Sequence, residues 1–271
     1  MTSVGSLEKK ARWVRRETLK LHKRAPESRV ASSLSMVEIF VSLYYGGAMQ
    51  FDATDTFSSM RDRLIISKGH GAVSLYPILA DLGFLDRKNL DTINEPGALL
   101  RAIPDMTIPG FETINGALGH GLGIACGVAM AMRLRNTDRR VFVICGDGEL
   151  NEGSVWEAAM FAGYHRLDNL ILIVDCNQMS MLGYTKEILD LQPLSQKFEA
   201  FGWLSGRTDG HDIEPLCDIL HQMKNSAEHK PKALIARTVK GRGIPQLEGD
   251  PLCHVKSLRP EEVDALLEEH A

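Results

Sequence analysis

The 271-residue sequence has no long apolar run, no strong excess of either charge and no ordered cysteine pattern, and each absence closes off a class of protein. No stretch reaches the roughly 18 apolar residues of a membrane span, and no secretory hydrophobic segment follows Met1. A cytoplasmic protein with no membrane association is therefore expected. A formal net charge of −4 gives no electrostatic footprint for nucleic acid. Residues 9–16 are locally basic and read as the solvated face of a helix. Cys126, Cys145, Cys176, Cys217 and Cys253 are scattered, odd in number and without metal-ligand spacing, so they read as reduced thiols. There is no internal repeat, low-complexity segment or linker. A single domain over 1–271 is expected, with an N-terminal helical segment at 6–46.

What the chain does have is alternation. A helix is expected at 6–23, then one at 36–45, with Ser35 and Glu38 spaced as a capping box. A strand at 63–67 precedes a helix at 73–82 closed by Gly83. A Pro- and Gly-containing loop at 94–117 leads to a small-residue helix at 118–134. Strands at 141–145 and 170–175 flank a helix at 152–164. A helix at 194–201, a strand at 203–207, a helix at 213–224 and a strand at 232–238 follow. Strands such as VFVIC and LILIV are apolar throughout, which is the pattern of parallel strands covered on both faces. The fold class is a doubly wound α/β domain with a mainly parallel sheet. Ligands in such sheets bind beyond the carboxyl ends of the strands, so chemistry is sought in the loops after Cys145 and Asp175.

The first of those loops reads Gly146-Asp147-Gly148-Glu149-Leu150-Asn151-Glu152. Two glycines permit a tight turn and let backbone N–H groups approach a phosphate, and the helix start behind them favours negative charge. Asp147 between them is a hard oxygen donor suited to Mg²⁺ or Ca²⁺. Alone, this is equally a plain strand-to-helix turn. Thirty residues on, Asn177 follows the next buried strand. One intervening helix would bring the two strand ends side by side, where Asp147 and Asn177 converge on one octahedral ion.

The spacing resembles the thiamine diphosphate motif, and the likeness runs on through GDGELNEGSVWEAAMFAGYHRLDNLILIVDCNQ. RDRLIISKGHGAVSLYPILADLGF, PGFETINGALGHGLGIACGVAMA, TDGHD, ARTVKGRGIP and CHVK agree in the same order. Over nearly its whole length the chain is similar to the transketolase family, above all to transketolases made as two shorter subunits. That resemblance implies thiamine diphosphate and Mg²⁺ (or Ca²⁺) as cofactors. Asp147, Asn177 and the Met179 carbonyl would be metal ligands, and Gly148 would meet the diphosphate. His70 and His254 would bond diphosphate oxygens and face the reacting carbons. Gly116 and Leu118 would contact the aminopyrimidine, and Glu152 would pair with an activating glutamate across an interface. In the family that glutamate lies in a pyrimidine-binding domain. Here it is expected on a C-terminal transketolase subunit in an α2β2 assembly, and the reaction is transfer of a two-carbon ketol unit from a ketose or ketose phosphate to an aldehyde.

Two positions depart from the family pattern. Arg29 stands where SGHxGGSLS carries its histidine, and Ile103 stands in Ala102-Ile103-Pro104-Asp105 where GHPD has one. Arg29 suits a carboxylate, phosphate or sulfonate, and Ile103 offers apolar surface. Both are specificity candidates, unless their loops repack away from substrate. A 2-oxo acid donor such as pyruvate, or a non-catalytic scaffold, are the rival readings. Gly119, Gly121, Gly123 and Gly127 follow no clear strand and read as glycines for close helix packing rather than a dinucleotide fingerprint. Residues 209–212 read as a turn and N-cap.

Overall fold

The apolar runs become inner strands of one sheet. The computed structural model describes residues 2–114, 116–181 and 183–269. In it β1 (Arg63–Ile66), β2 (Val141–Gly146), β3 (Leu170–Cys176), β4 (Leu204–Asp209) and β5 (Lys232–Arg237) are ordered β1-β2-β3-β5-β4. Every neighbouring pair is parallel. The helices among the described residues are α1 (Val4–Arg24), α2 (Val30–Leu34), α3 (Val37–Tyr44), α4 (Tyr76–Asp81), α5 (Gly121–Leu134), α6 (Gly153–Tyr164), α7 (Thr185–Ile188), α8 (Leu194–Ala200), α9 (Ile213–Asn225) and α10 (Pro260–Glu269).

Successive side chains of a strand point to opposite faces, and both faces are covered. Phe142, Ile144, Ile171, Ile173 and Leu234 enter a core shared with α1, α3, α9 and α10. Val143, Cys145, Leu172, Val174 and Ile235 enter a second core with α5, α6 and α8. Each fully buried side chain such as Phe142 or Ile173 contributes about 1.5–3 kcal/mol. The α/β sheet expected from the sequence is present. Its register sets up the site: Gly146 pairs with Asp175, so Asp147 and Asn177 leave the sheet on adjacent strands.

Several local expectations are corrected. The capping box at Ser35 does not form, and α3 has no side-chain cap. Ser35 Oγ donates instead to Asp175 Oδ2 at 2.7 Å, while Glu38 accepts from Arg15 at 2.8 Å and contacts His211 Nδ1 at 2.9 Å. A buried carboxylate is a stronger acceptor for the hydroxyl than a helix start is a donor. The helix expected at 73–82 is split, with a 3₁₀ segment Gly69–Leu75 before α4. Pro77 suits a helix's first turn and not its interior. Helix α5 starts only at Gly121, because Gly116 and Gly119 have φ of 120° and 87°, outside helical space. Gly121 does pack closely, against Ser67, but Gly123 and Gly127 face open space. Helix α10 was not anticipated, and α2 lies within the helical segment expected at 6–46 but was not expected as a helix of its own. Helix α2 is five residues long, too short to show hydrophobic periodicity, whereas Pro260, Glu261 and Glu262 gave α10 a legible start.

The turn at 209–212 is present, with the His211 N–H donating to Asp209 Oδ1 at 2.8 Å, though Asp212 makes no side-chain cap bond. All five cysteines are free thiols. No helix among the described residues is long and apolar enough to cross a membrane.

Candidate active site

A cavity of about 430 Å³ opens where β1, β2 and β3 end. Its lining includes His70, Gly116, Leu118, Gly146, Asp147, Gly148, Glu152, Asn177, Met179 and His254. Every cofactor- and metal-side residue expected from the sequence thus borders one space, though they come from five separate segments of chain.

The turn after β2 is shaped by sterics and by amide hydrogen bonds. A Cβ on Gly148 would lie 3.1 Å from Ser180 Cβ and 3.6 Å from the Met179 carbonyl oxygen, so the two loops meet backbone to backbone. Asp147 Oδ1 accepts from the Gly148 N–H at 2.9 Å, and Oδ2 accepts from the Gln178 N–H at 2.6 Å. Asn177 Oδ1 accepts from the Met179 N–H at 3.1 Å, which fixes its amide. Burial, and next the charge of Asp175, push the Asp147 carboxyl up to about 6, against the opposing pull of the Gln178 and Gly148 N–H groups and Lys68. A divalent ion shared with Asn177 and the Met179 carbonyl would offset that burial and the Asp175 charge.

The rest of the lining is rich in positive charge. Lys68 and Lys240 are both nearly buried. Lys240 Nζ lies 2.9 Å from His254 Nδ1 and 3.5 Å from the Met179 carbonyl oxygen. Burial, and then the Lys68 charge, bring the Lys240 ammonium down to about 8. The rings of His70 and His254 sit 5.1 Å apart. Burial and the neighbouring cations hold His70 far below an ordinary imidazole. Burial, then Lys240, Arg29 and Lys68, bring His254 to about 4. Both imidazoles are therefore neutral at pH 7, each with one N–H to donate. A polyanion would relieve the repulsion among these groups, so the cavity suits a diphosphate bound with its metal. Leu118, Met181 and Ile188 give the same cavity an apolar portion suited to a ring.

Comparison with known proteins agrees with this chemistry. Residues 14–270 match the transketolase thiamine diphosphate binding domain. The chain belongs to the transketolase family. It is 41% identical over 269 residues to one subunit of the apulose-4-phosphate transketolase of Actinobacillus succinogenes, covering 98% of this chain and 96% of that one. It is 39% identical over 256 residues to the 6-deoxy-6-sulfo-D-fructose transketolase subunit SqwG of a Clostridium species, covering 94% and 92%. The transketolase of Campylobacter jejuni superposes with a TM-score of 0.92 at 29% identity, over 99% of this chain. The chain spans 43% of the length of that solved transketolase.

Within this transketolase subunit lie further site residues that the sequence pattern did not mark. Asp175 is fully buried and pairs with Lys68, with further hydrogen bonds from Thr238, from Ser35 at 2.7 Å and from Asn177 Nδ2 at 3.2 Å. Burial opposes its charge, but Lys68 and these donors prevail and hold it below an ordinary aspartate. Its signal in the sequence was an acid ending an otherwise apolar strand, which must find a partner. Lys68 and Lys240 had no such signal. The specificity candidates lie nearby. Arg29 is half-buried, close enough for its charge to act on His254, and its guanidinium pairs with no described residue. Ile103 is 47% exposed, and its Cγ2 would lie 3.6 Å from a Cβ on Gly116. Glu152 is exposed at the cavity rim.

Proposed function

We propose that this chain is the diphosphate- and metal-binding half of a two-subunit transketolase that moves a two-carbon ketol unit from a ketose donor to an aldehyde. The observation that carries the reading is the single cavity that gathers Asp147, Asn177, His70 and His254 under a cation-rich lining. Asp147, Asn177 and the Met179 carbonyl would hold Mg²⁺ or Ca²⁺. The Gly148 N–H, Lys68 and Lys240 would hold diphosphate oxygens. Thiamine diphosphate, when bound, supplies the electron sink for breaking and remaking a carbon–carbon bond. His70 and His254, neutral and paired, would orient the substrate hydroxyls and carry protons to and from them.

The donor class follows from Arg29. Relatives of this chain are named for a phosphate-bearing and a sulfo-bearing sugar, and a guanidinium with no partner among the described residues suits either anion. A partner subunit is supported by the relatives' names as subunits and by the exposed surface of α5 and α6. There Ile124 of α5 is exposed, and so are Met160, Phe161 and Tyr164, which share one face of the C-terminal half of α6, the helix that starts beside Glu152. Such apolar stripes mark protein interfaces. In an α2β2 assembly Glu152 would meet the partner's activating carboxylate.

The test is reconstitution. The purified chain with thiamine diphosphate, Mg²⁺ and a ketose phosphate donor is expected to show no transfer until the partner subunit is added. Transfer by the chain alone would overturn the two-subunit reading.

A further inference from the structure

Glu149 follows the Gly146-Asp147-Gly148 turn and is 3% exposed. One oxygen, Oε1, accepts from the Ser67 hydroxyl and from the Gly119 N–H at 2.8 Å. The other, Oε2, accepts from the Gly146 N–H at 3.1 Å. Ser67 Oγ in turn accepts from the Gly121 N–H at 3.0 Å. No side chain fits between these segments: a Cβ on Gly121 would lie 2.3 Å from Ser67 Cβ, and one on Gly119 2.7 Å from Glu152 Cβ.

We infer that Glu149 is a positioning residue that holds three walls of the cofactor cavity in register. Each donor belongs to a different wall. Ser67 precedes Lys68 and His70, Gly119 ends the loop that carries Gly116 and Leu118, and Gly146 opens the turn that carries Asp147. A carboxylate offers about four acceptor sites and no donor, which matches a hub approached only by N–H and O–H groups. The inference rests on the cavity being the thiamine diphosphate site. It adds that the ring-facing loops are aligned to the diphosphate turn by one buried side chain. The metal corner has its own ties, from Asp147 to Gln178 and from Asn177 to Met179, so loss of Glu149 leaves that corner standing.

The test compares two ligands on the complex reconstituted with its partner. Glu149→Gln keeps the size of the side chain but turns an NH₂ group towards N–H donors. Calorimetry with Mg²⁺ and thiamine diphosphate is expected to show Kd raised about 10–100-fold, the range for residues that orient ligands at one remove. With Mg²⁺ and inorganic pyrophosphate, which meets the metal corner, Lys240 and Lys68, the last held by Asp175 independently of Glu149, Kd stays within about twofold. If Glu149→Gln does not fold by circular dichroism, Ser67→Ala, which removes one arm of the hub, is expected to show the same split with a smaller rise. An equal loss for both ligands, or none for either, overturns the inference. Failure of the unmutated complex to bind thiamine diphosphate would instead defeat the functional reading beneath it.

Discussion

The two sides of the cavity are built differently. Around the ends of β2 and β3 the polar groups are committed to one another: Asp147 to two amides, Asn177 to Met179, and Asp175 to Lys68, Thr238 and Ser35. Around Arg29, Ile103 and Leu118 the side chains are half-buried or exposed, and Arg29 has no partner among the described residues. The first side is pre-organised for a ligand that never changes. The second leaves its contacts to whatever binds, and so is the side where specificity can drift without damage to the fold.

The sharpest way to break this contrast is to remove a ligand from the committed side. Asp147→Ala or Asn177→Ala is expected to weaken Mg²⁺–thiamine diphosphate binding by more than about a hundredfold, beyond the range seen for indirect contacts. Calorimetry on the reconstituted complex reads this directly, and unchanged affinity in either variant would dismiss the metal assignment. Next comes Asp175→Ala, which strands the buried Lys68 ammonium. Breaking a buried ion pair from one side costs about 3–5 kcal/mol, so urea unfolding at pH 7 should show a loss of that order. A change under about 1 kcal/mol would mean that the pair does not organise this end of the sheet.

A weaker tie fixes the open side from behind. His22 is fully buried, with Nδ1 2.9 Å from Ser28 Oγ and Nε2 accepting from the Leu258 N–H at 3.1 Å. It anchors the segments that carry Arg29 and His254. Burial, partly offset by the Ser28 contact, brings its pKa from 6.5 to about 4. The native state therefore prefers neutral His22, whereas the unfolded chain takes up a proton as pH falls below 6.5. Stability from this group is complete above pH 6.5, declines as pH falls, and is gone near pH 4. On going from pH 7 to 4.5 the loss is on the order of 2–3 kcal/mol. His22→Gln should lack this component, and an identical pH slope in that variant would remove His22 from the account.

The committed side was the more legible in sequence, for a geometric reason. The Gly-Asp-Gly turn and Asn177 are thirty residues apart because one helix separates neighbouring parallel strands, and the register of Gly146 against Asp175 makes that spacing a contact. The sheet was legible for a related reason, since strands covered on both faces must be apolar throughout. What escaped was the support behind those residues. Ser67 meets Glu149 across 82 positions, Lys68 meets Asp175 across 107, and Ser35 meets Asp175 across 140. No local pattern encodes such pairs. Ser35 shows the consequence, because its spacing to Glu38 satisfied a helix-cap rule while its hydroxyl was taken by an acid from the sheet.

The open side yields the smallest expected effect and the test of whether it faces the donor at all. Ile103 beside Gly116 puts a branched apolar group where a polar contact to a C1 hydroxyl is expected, so a C1 methyl, as in pyruvate, becomes more acceptable there. An apolar surface discriminates only modestly against an added hydroxyl, at most about a hundredfold. Arg29 would work on another part of the donor, where a charge-assisted hydrogen bond to a terminal phosphate or sulfonate would contribute about 1.5–3 kcal/mol. Replacing Ile103 by histidine should therefore raise the kcat/KM ratio of xylulose 5-phosphate over pyruvate by roughly tenfold, the equivalent of about 1.4 kcal/mol. Arg29→His alone should fall mainly on KM for anionic donors, because a terminal anion distant from the reacting carbons is held equally before and during the reaction. A donor ratio unmoved by Ile103→His, together with a KM unmoved by Arg29→His, would show that neither side chain meets substrate, and specificity would then reside in the partner subunit.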